Sequence, residues 1–342
     1  MRTTLTGLAL LLAAGAAWAQ VGNLTGADVA DRTAVSDPAE IARQLDDSWL
    51  AFTMPVLDGT ASPCCWQGNW NEFGTQGCSL ESRPTGFGSR GDAPDTDLLV
   101  VFAKVEHGDV RSMRVVGEQC PVEGQGARVE WLGEVGNEEG LDWLETVARS
   151  GDSDSVRHSA LYALAQHRDE AVTGRLSAMA RNGGPELQHQ SIFWLGEARG
   201  AAGLAQLEQL LGELPPGESR RELNFAIAQA GTPAAMELLI RISRTDADRE
   251  QRSGALFWLA HDFPAEAEPL LLNLLTDETD SEILERAVFA LSQLPEDRSG
   301  PVLLALARDS QAPREVRRQA LFWLAQSDDD ETIAQLTELL TR

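Results

Sequence analysis

"RRQALFWLAQSDDD", Arg317–Asp330, is the stretch whose reading decides the fold. It has two earlier relatives, "QRSGALFWLAHD" at Gln251–Asp262 and "QHQSIFWLGEA" at Gln188–Ala198. Aligned on the leucine after Trp323, anchors fall at Leu132, Leu164, Leu195, Ile227, Leu259, Leu291 and Leu324. Their spacings are 32, 31, 32, 32, 32 and 33 residues. Twelve residues past each anchor stands another leucine, from Leu144 and Leu176 to Leu303 and Leu336. Self-similarity at this period marks a solenoid, whose units bury their apolar faces by stacking on one another.

Each unit contains two helical patterns. "ETIAQLTELL" and "AEPLLLNLL" place apolar residues at i, i+3, i+4 and i+7, which predicts an amphipathic helix with one wet side. The anchor phrase is apolar almost all round, as befits a helix enclosed by neighbours. The joints "SGDSDS", "TDETDS" and "SDDDE" are acidic, and their Asp and Ser suit helix capping. They lack the spaced ligands and loop glycine of a calcium-binding EF-hand.

"DSVRHSALYALAQ" and "REVRRQALFWLAQ" follow D/E-x-V-R-x-x-A-L-x-x-L-A, which resembles the second helix of HEAT repeats. The short period resembles the phycobilin-lyase-type subclass in particular. The resemblance covers roughly residues 127 to 342. It implies a mainly α fold, an α-α superhelix of about six to seven units, and leaves function open because such repeats serve scaffolds, adaptors and maturation factors alike. It also implies that Arg157, Arg252 and Arg317 pair with acidic or carbonyl groups of the next unit. "GARVEWLGEV" around Leu132 lacks a helix start and reads as a degenerate first unit, capped by whatever precedes it.

What precedes it has a different grammar. Residues 1–19 read as a secretory signal peptide, with an apolar run from Leu5 to Ala17 and the small-residue site Ala17-Trp18-Ala19. That predicts a bacterial Sec-exported protein, periplasmic or secreted, with no membrane insertion after cleavage. Residues 20–126 read as a small α+β or β module. "DPAEIARQL" suggests a short helix capped by Asp37, "SWLAFTMPVL" a strand, and "DLLVVFAKVEHGDVRSMRVVGEQC" a hairpin through His107-Gly108-Asp109. The turn-rich segment between needs staples. The chain's four cysteines, Cys64, Cys65, Cys78 and Cys120, all lie here. In an oxidising compartment they predict two disulfides. Adjacent cysteines rarely bond each other, so one of Cys64 and Cys65 pairs with Cys78 and the other with Cys120.

The aromatic rows of the repeats pose the functional question. Two residues before the anchors stand Tyr162, Phe193, Phe225, Phe257, Phe289 and Phe322. One residue before them, Trp131, Ala163, Trp194, Ala226, Trp258, Ala290 and Trp323 alternate large and small. Two residues after come Glu134, Gln166, Glu197, Gln229, His261, Gln293 and Gln326. At 100° per residue the Phe and amide positions share a side roughly opposite the anchor. In helix-pair solenoids the second helices line the concave surface. Two readings follow: a strip of aromatics and amides for an extended peptide or sugar chain, or Trp set against Ala as packing between units. The alternation favours packing for the Trp row. The candidate binding strip is therefore Gln166, Glu197, Gln229, His261, Gln293 and Gln326 with Phe193, Phe225, Phe257, Phe289 and Phe322.

Catalytic, metal and cofactor signatures are missing from the sequence: no G-x-S-x-G, H-E-x-x-H or P-loop occurs. His158 and His189 hold equivalent positions that Arg221 and Arg318 fill elsewhere, as in a generic polar slot. The formal net charge of -25 argues against nucleic acid and anionic surfaces, and favours a basic or neutral protein partner. The sequence thus predicts a non-enzymatic exported scaffold that binds a protein or peptide through the concave face. The alternative is an envelope enzyme or maturation factor with its site at the junction of module and solenoid, near Trp66, Trp70 and His107.

Overall fold

The computed structural model describes residues 22–35, 37–66, 77–82, 86–89, 93–327 and 329–341. The expected signal peptide and Trp70 lie outside the described residues, as does the side chain of Trp66. The chain divides into two compact units, Met1–Asn137 and Glu138–Arg342.

The first unit is built on three sheets. Its strands are β1 (Asn23–Thr25), β2 (Asp28–Asp31), β3 (Asp47–Pro55), β4 (Cys64–Trp66), β5 (Cys78–Ser79), β6 (Gly86–Gly88), β7 (Leu98–Glu106), β8 (Asp109–Gly117), β9 (Pro121–Glu123) and β10 (Arg128–Glu134), with one short helix, α1 (Pro38–Ala42). The central sheet has the order β2-β10-β3-β7-β8; the smaller ones are β1-β9-β5 and β4-β6. Asp37 caps α1 by accepting from the Ala39 amide, with Pro38 in the first turn. The hairpin β7–β8 turns at His107 and Gly108, both at positive φ (54° and 86°), the geometry a tight two-residue turn requires. Two disulfides, Cys64–Cys120 and Cys65–Cys78, realise the expected pairing and sit in a buried cluster with Trp49, Phe102 and Trp131.

One segment departs from the sequence reading. "RVEWLGE" is not a first repeat but strand β10, paired in parallel with both β2 and β3. Val129 and Trp131 on one face and Glu130 and Leu132 on the other are all buried, so the segment is a central strand with no wet side. Glu130 tolerates that position because the Arg32 guanidinium reaches it at 2.7 Å. The helical repeats therefore begin at Glu138, and six of the seven anchors remain.

The second unit carries thirteen helices among the described residues. They are α2 (Glu138–Ser150), α3 (Asp154–Gln166), α4 (Ala171–Asn182), α5 (Pro185–Ala198), α6 (Gly200–Glu213), α7 (Glu218–Gln229), α8 (Pro233–Thr245), α9 (Arg249–Asp262), α10 (Pro264–Asp277), α11 (Ser281–Ser292), α12 (Glu296–Arg308), α13 (Arg314–Leu324) and α14 (Asp330–Thr341). The anchor phrases form the odd-numbered helices from α3 to α13, each packed against the next. All six remaining anchors are fully buried. The leucines twelve residues on point into the same core from the even-numbered helices: Leu176, Leu207, Leu239 and Leu271 are fully buried too. The acidic joints cap as expected: Ser153 accepts from the Val156 amide and Asp280 from that of Glu282. Neighbouring even-numbered helices are tied by ion pairs about one repeat apart, such as Arg175–Glu145 at 2.8 Å and Arg298–Glu268 at 2.6 Å.

The repeat arginines act differently from what the resemblance implied. Arg157 donates to the Gly151 carbonyl, Arg252 to that of Asp246 and Arg317 to those of Ser310 and Ala312. Each fastens its helix to the joint just before it, within one repeat and not across to the next. The joint carbonyls just past the end of the preceding helix supply these acceptors at short range. Between-repeat fastening falls to other residues. Arg199 donates to the carbonyls of Ala165, His167 and Asp169, closing the C-terminal end of α3 from the following repeat.

Candidate functional site

A helical side chain leans toward its helix N-terminus, so each Phe before an anchor covers the turn that precedes it. The residues on that turn are those three, four and seven before the Phe. Across α5, α7, α9, α11 and α13, the residue seven before is always glutamate: Glu186, Glu218, Glu250, Glu282 and Glu315. This carboxylate row repeats with the same period as the anchors, and sequence reasoning passed over it.

The rings form one continuous ladder. Tyr162 meets Trp194 at 5.4 Å, Trp194 meets Phe193 at 4.8 Å, and Phe193 stacks on Phe225 at 6.0 Å. Phe225 meets Trp258 at 4.7 Å, Trp258 meets Phe257 at 5.0 Å, and Phe257 stacks on Phe289 at 5.9 Å. Phe289 meets Trp323 and Trp323 meets Phe322, both at 5.0 Å. The alternation of Trp and Ala now has a cause. Where a repeat carries Trp, the indole sits between the ring of the preceding repeat and its own Phe. Where it carries Ala226 or Ala290, Phe stacks directly on Phe and the Ala is fully buried. Trp194, Trp258 and Trp323 thus pack between repeats as expected, yet their indoles stay half-buried and one edge of the ladder faces outward, while Trp131 of the same row lies in β10 and takes no part. Burial pushes the Tyr162 phenol up to about 12 at the start of the ladder.

Three hollows line this edge. One of about 260 Å³ lies over Glu186, His189, Phe193, Glu222 and Phe225. The next, about 410 Å³, shares Glu222 and Phe225 and adds Glu250, Ser253, Gly254, Phe257 and Trp258. The third, about 650 Å³, shares Arg286 and Phe289 with it and extends to Gln319 and Trp323. Through these shared residues the hollows run as one groove along α5, α7, α9, α11 and α13.

Of the residues singled out from sequence, four of five phenylalanines line the groove; Phe322 is 52% exposed at the far end of the ladder. None of the amide row does. Gln166 and Gln229 are half-buried, while Glu197, Gln293 and Gln326 are exposed. Gln293 donates to the Ser292 hydroxyl, and His261 contacts the Asp262 carboxylate at 2.9 Å and the Trp258 ring at 5.5 Å. His158 pairs with Glu186 of the next repeat at 2.9 Å, while His189, at the equivalent position, lines the first hollow. His107 faces Asp46 at 3.2 Å, both strongly exposed, in the first unit. Among the described residues no three His, Cys, Asp or Glu side chains converge to hold a metal.

One buried titratable group has a measurable signature. His167 follows α3, is 2% exposed, and its Nδ1 accepts from the Asp169 amide at 3.1 Å. Burial lowers its pKa from 6.5 to about 4. The unfolded chain therefore takes up a proton near pH 6.5 that the folded chain refuses until near pH 4. Stability from this group is complete above pH 6.5 and falls as pH drops through that window, by about 3 kcal/mol. His167→Asn keeps an acceptor for the Asp169 amide and removes the titration. Urea melts from pH 7 to pH 4 are expected to show the wild type losing about 3 kcal/mol more than this variant. Parallel losses would mean that His167 is solvated.

Residues 236–314 match the family model for HEAT repeats, and residues 316–342 that for the PBS lyase HEAT-like repeat. HEAT-like repeats are thus found between residues 236 and 342, in the C-terminal half of the helical unit. The chain is similar to solved structures at low identity. Human deoxyhypusine hydroxylase is 16% identical over 59% of this chain and 89% of its own, with a TM-score of 0.30. The CpcE–CpcF complex of phycocyanin lyase from Nostoc sp. PCC7120 is 20% identical over 54% and 75%, with a TM-score of 0.31. Kap121p is 17% identical over 55% of this chain and 25% of its own, with a TM-score of 0.32. No curated protein sequence matches the chain.

Proposed function

We propose that the protein is an exported, non-enzymatic scaffold whose HEAT repeats hold an extended segment of another protein along the aromatic groove. The observation that carries this reading is the continuity of the groove. Its three hollows share lining residues and follow one helix row, so a ligand that fills it is long and narrow. Aromatic rings supply apolar contact area at low entropic cost, while the polar turn beside them offers partners for main-chain groups. The two disulfides fit an oxidising compartment. The contact strip is the Phe row with the turn before it, in place of the Phe row with the amides after it.

Selection of random peptides displayed on phage tests this. Peptides retained by the wild type are expected to be lost on the double variant Phe225→Ala, Phe289→Ala, and kept on Gln166→Ala, Gln229→Ala, Gln293→Ala. Circular dichroism melts verify that each variant is folded. Retention by the Phe variant, or loss on the Gln variant, would put the contact elsewhere.

A further inference from the structure

The middle hollow differs from its neighbours in how it is made. At the positions three and four before the Phe, the other groove helices carry long polar side chains: Gln190 and His189, Glu222 and Arg221, Arg286 and Glu285, Gln319 and Arg318. Helix α9 alone has Gly254 and Ser253 there. The gap bares a polar floor. Asn224, 1% exposed, donates to the Gln251 carbonyl and accepts from the Gln251 side chain at 3.0 Å. A Cβ on residue 254 would come within 2.7 Å of the Asn224 amide, so glycine lets α9 close on α7. Ser253 is 8% exposed, lines the hollow, and its hydroxyl has no partner among the described residues. A buried hydroxyl of that kind costs free energy until a ligand meets it.

The walls and rim have a charge preference. Phe225, Phe257, Trp258 and Phe289 give the hollow apolar walls, against which the methylenes of a long basic side chain can lie while its charge stays at the rim. Glu222 and Glu250 have no ion pair among the described residues, whereas the flanking Glu186 and Glu282 are already engaged by His158 and Arg249. Arg221 and Arg286 on the rim are likewise unpaired and exposed. They argue against a free cation as ligand and for a peptide, since their guanidinium groups can donate to main-chain carbonyls on either side of the inserted residue. The chain's net charge of -25 favours encounter with basic segments.

We infer that the hollow between α7, α9 and α11 is a subsite for one basic side chain, arginine or lysine, of the extended peptide. The side chain lies against Trp258 and Phe225 with its charge between Glu222 and Glu250. This rests on the proposed peptide-binding role and specifies its chemistry.

Saturation-transfer NMR on the full chain reads it, with acetyl-Gly-Arg-Gly-amide, acetyl-Gly-Lys-Gly-amide and acetyl-Gly-Gln-Gly-amide as probes. The Arg and Lys methylenes are expected to gain about 5-fold more saturation than the Gln side chain. The gain is expected to vanish in Trp258→Ala and in Glu222→Gln, Glu250→Gln, and to persist in Glu237→Gln, a change at an exposed site on α8. The double Glu variant alters one exposed and one half-buried carboxylate, neither ion-paired among the described residues, so it remains informative if Trp258→Ala does not fold. Equal saturation of all three probes would overturn the basic subsite and leave the peptide groove standing. A gain that survives the double Glu variant would overturn it too. If no probe is saturated, the subsite falls, and the phage selection decides separately whether the groove binds peptides.

Discussion

Gly196→Ala is expected to destabilise the solenoid by about 3 kcal/mol or more, against the sign that helix propensity alone would give. Gly196 lies in the anchor phrase of α5, where alanine would favour the helix by about 1 kcal/mol. A Cβ there would sit 1.9 Å from the Ala226 carbonyl oxygen and 2.7 Å from its carbon. These are backbone atoms of α7, so no rotamer change relieves the overlap. The two helices must separate by more than an ångström, and Leu195 and Ile227, both fully buried at this contact, lose packing with them. Gly212→Ala in α6 is the matched control, because a Cβ there meets nothing within 4 Å. It is expected to stabilise by about 0.5–1 kcal/mol. Opposite signs for the same chemical change, read by urea melts, would fix α5 against α7 at backbone contact. Two stabilising results would mean that the helices lie further apart.

The residues that made the fold legible are the ones the stack leaves least choice. Anchors such as Leu195 and Leu259 face a core on every side, so their spacing survives in the sequence as a plain period. The same phrase misled at Trp131-Leu132. The alternation Arg128-Val129-Glu130-Trp131 breaks at Leu132, and Glu130 is buried on its ion pair with Arg32, so the segment shows too little strand period to outweigh the match of "VEWLGE" to the anchor register. Its Val129 and the helix-poor glycines at 126 and 133 were the available warning. The site was half legible. Phe225 and Phe289 stand out by type and period; the amides after the anchors line none of the three hollows, whereas residues of the turn before each Phe do. An i, i+4 count links Phe to the amide after it as readily as to the residue before it, but side chains lean toward the helix N-terminus, which lays each ring over the earlier turn. The glutamate row ending at Glu315 could have been found by the same alignment. The opening at Ser253-Gly254 could not be weighed before α7 and α9 were known to touch.

Removing Cys64–Cys120 is expected to cost the first unit roughly 4 kcal/mol, and removing Cys65–Cys78 roughly 3 kcal/mol, on loop-closure entropy. The bridges span 56 and 13 residues, and the shorter loop lies inside the longer. Their effects are therefore not additive: with one bridge in place the other closes a loop that is already shortened. Domains of this size are stable by only about 5–15 kcal/mol, so losing either bridge removes a large share. Alanine is the better replacement for each pair, because Cys65 is fully buried and Cys78 is 2% exposed, and serine would bury hydroxyls there. The chain supplies its own control. Every cysteine precedes Glu138, so a reductant has no target in the solenoid. Limited proteolysis read by mass spectrometry, with and without dithiothreitol, is expected to show cleavage spreading through the first unit while a fragment beginning near Glu138 persists. Joint loss of both units under reductant would show that the repeats depend on the stapled module for their stability. Survival of the first unit with both bridges open would mean that its central sheet, β2-β10-β3-β7-β8, holds without staples.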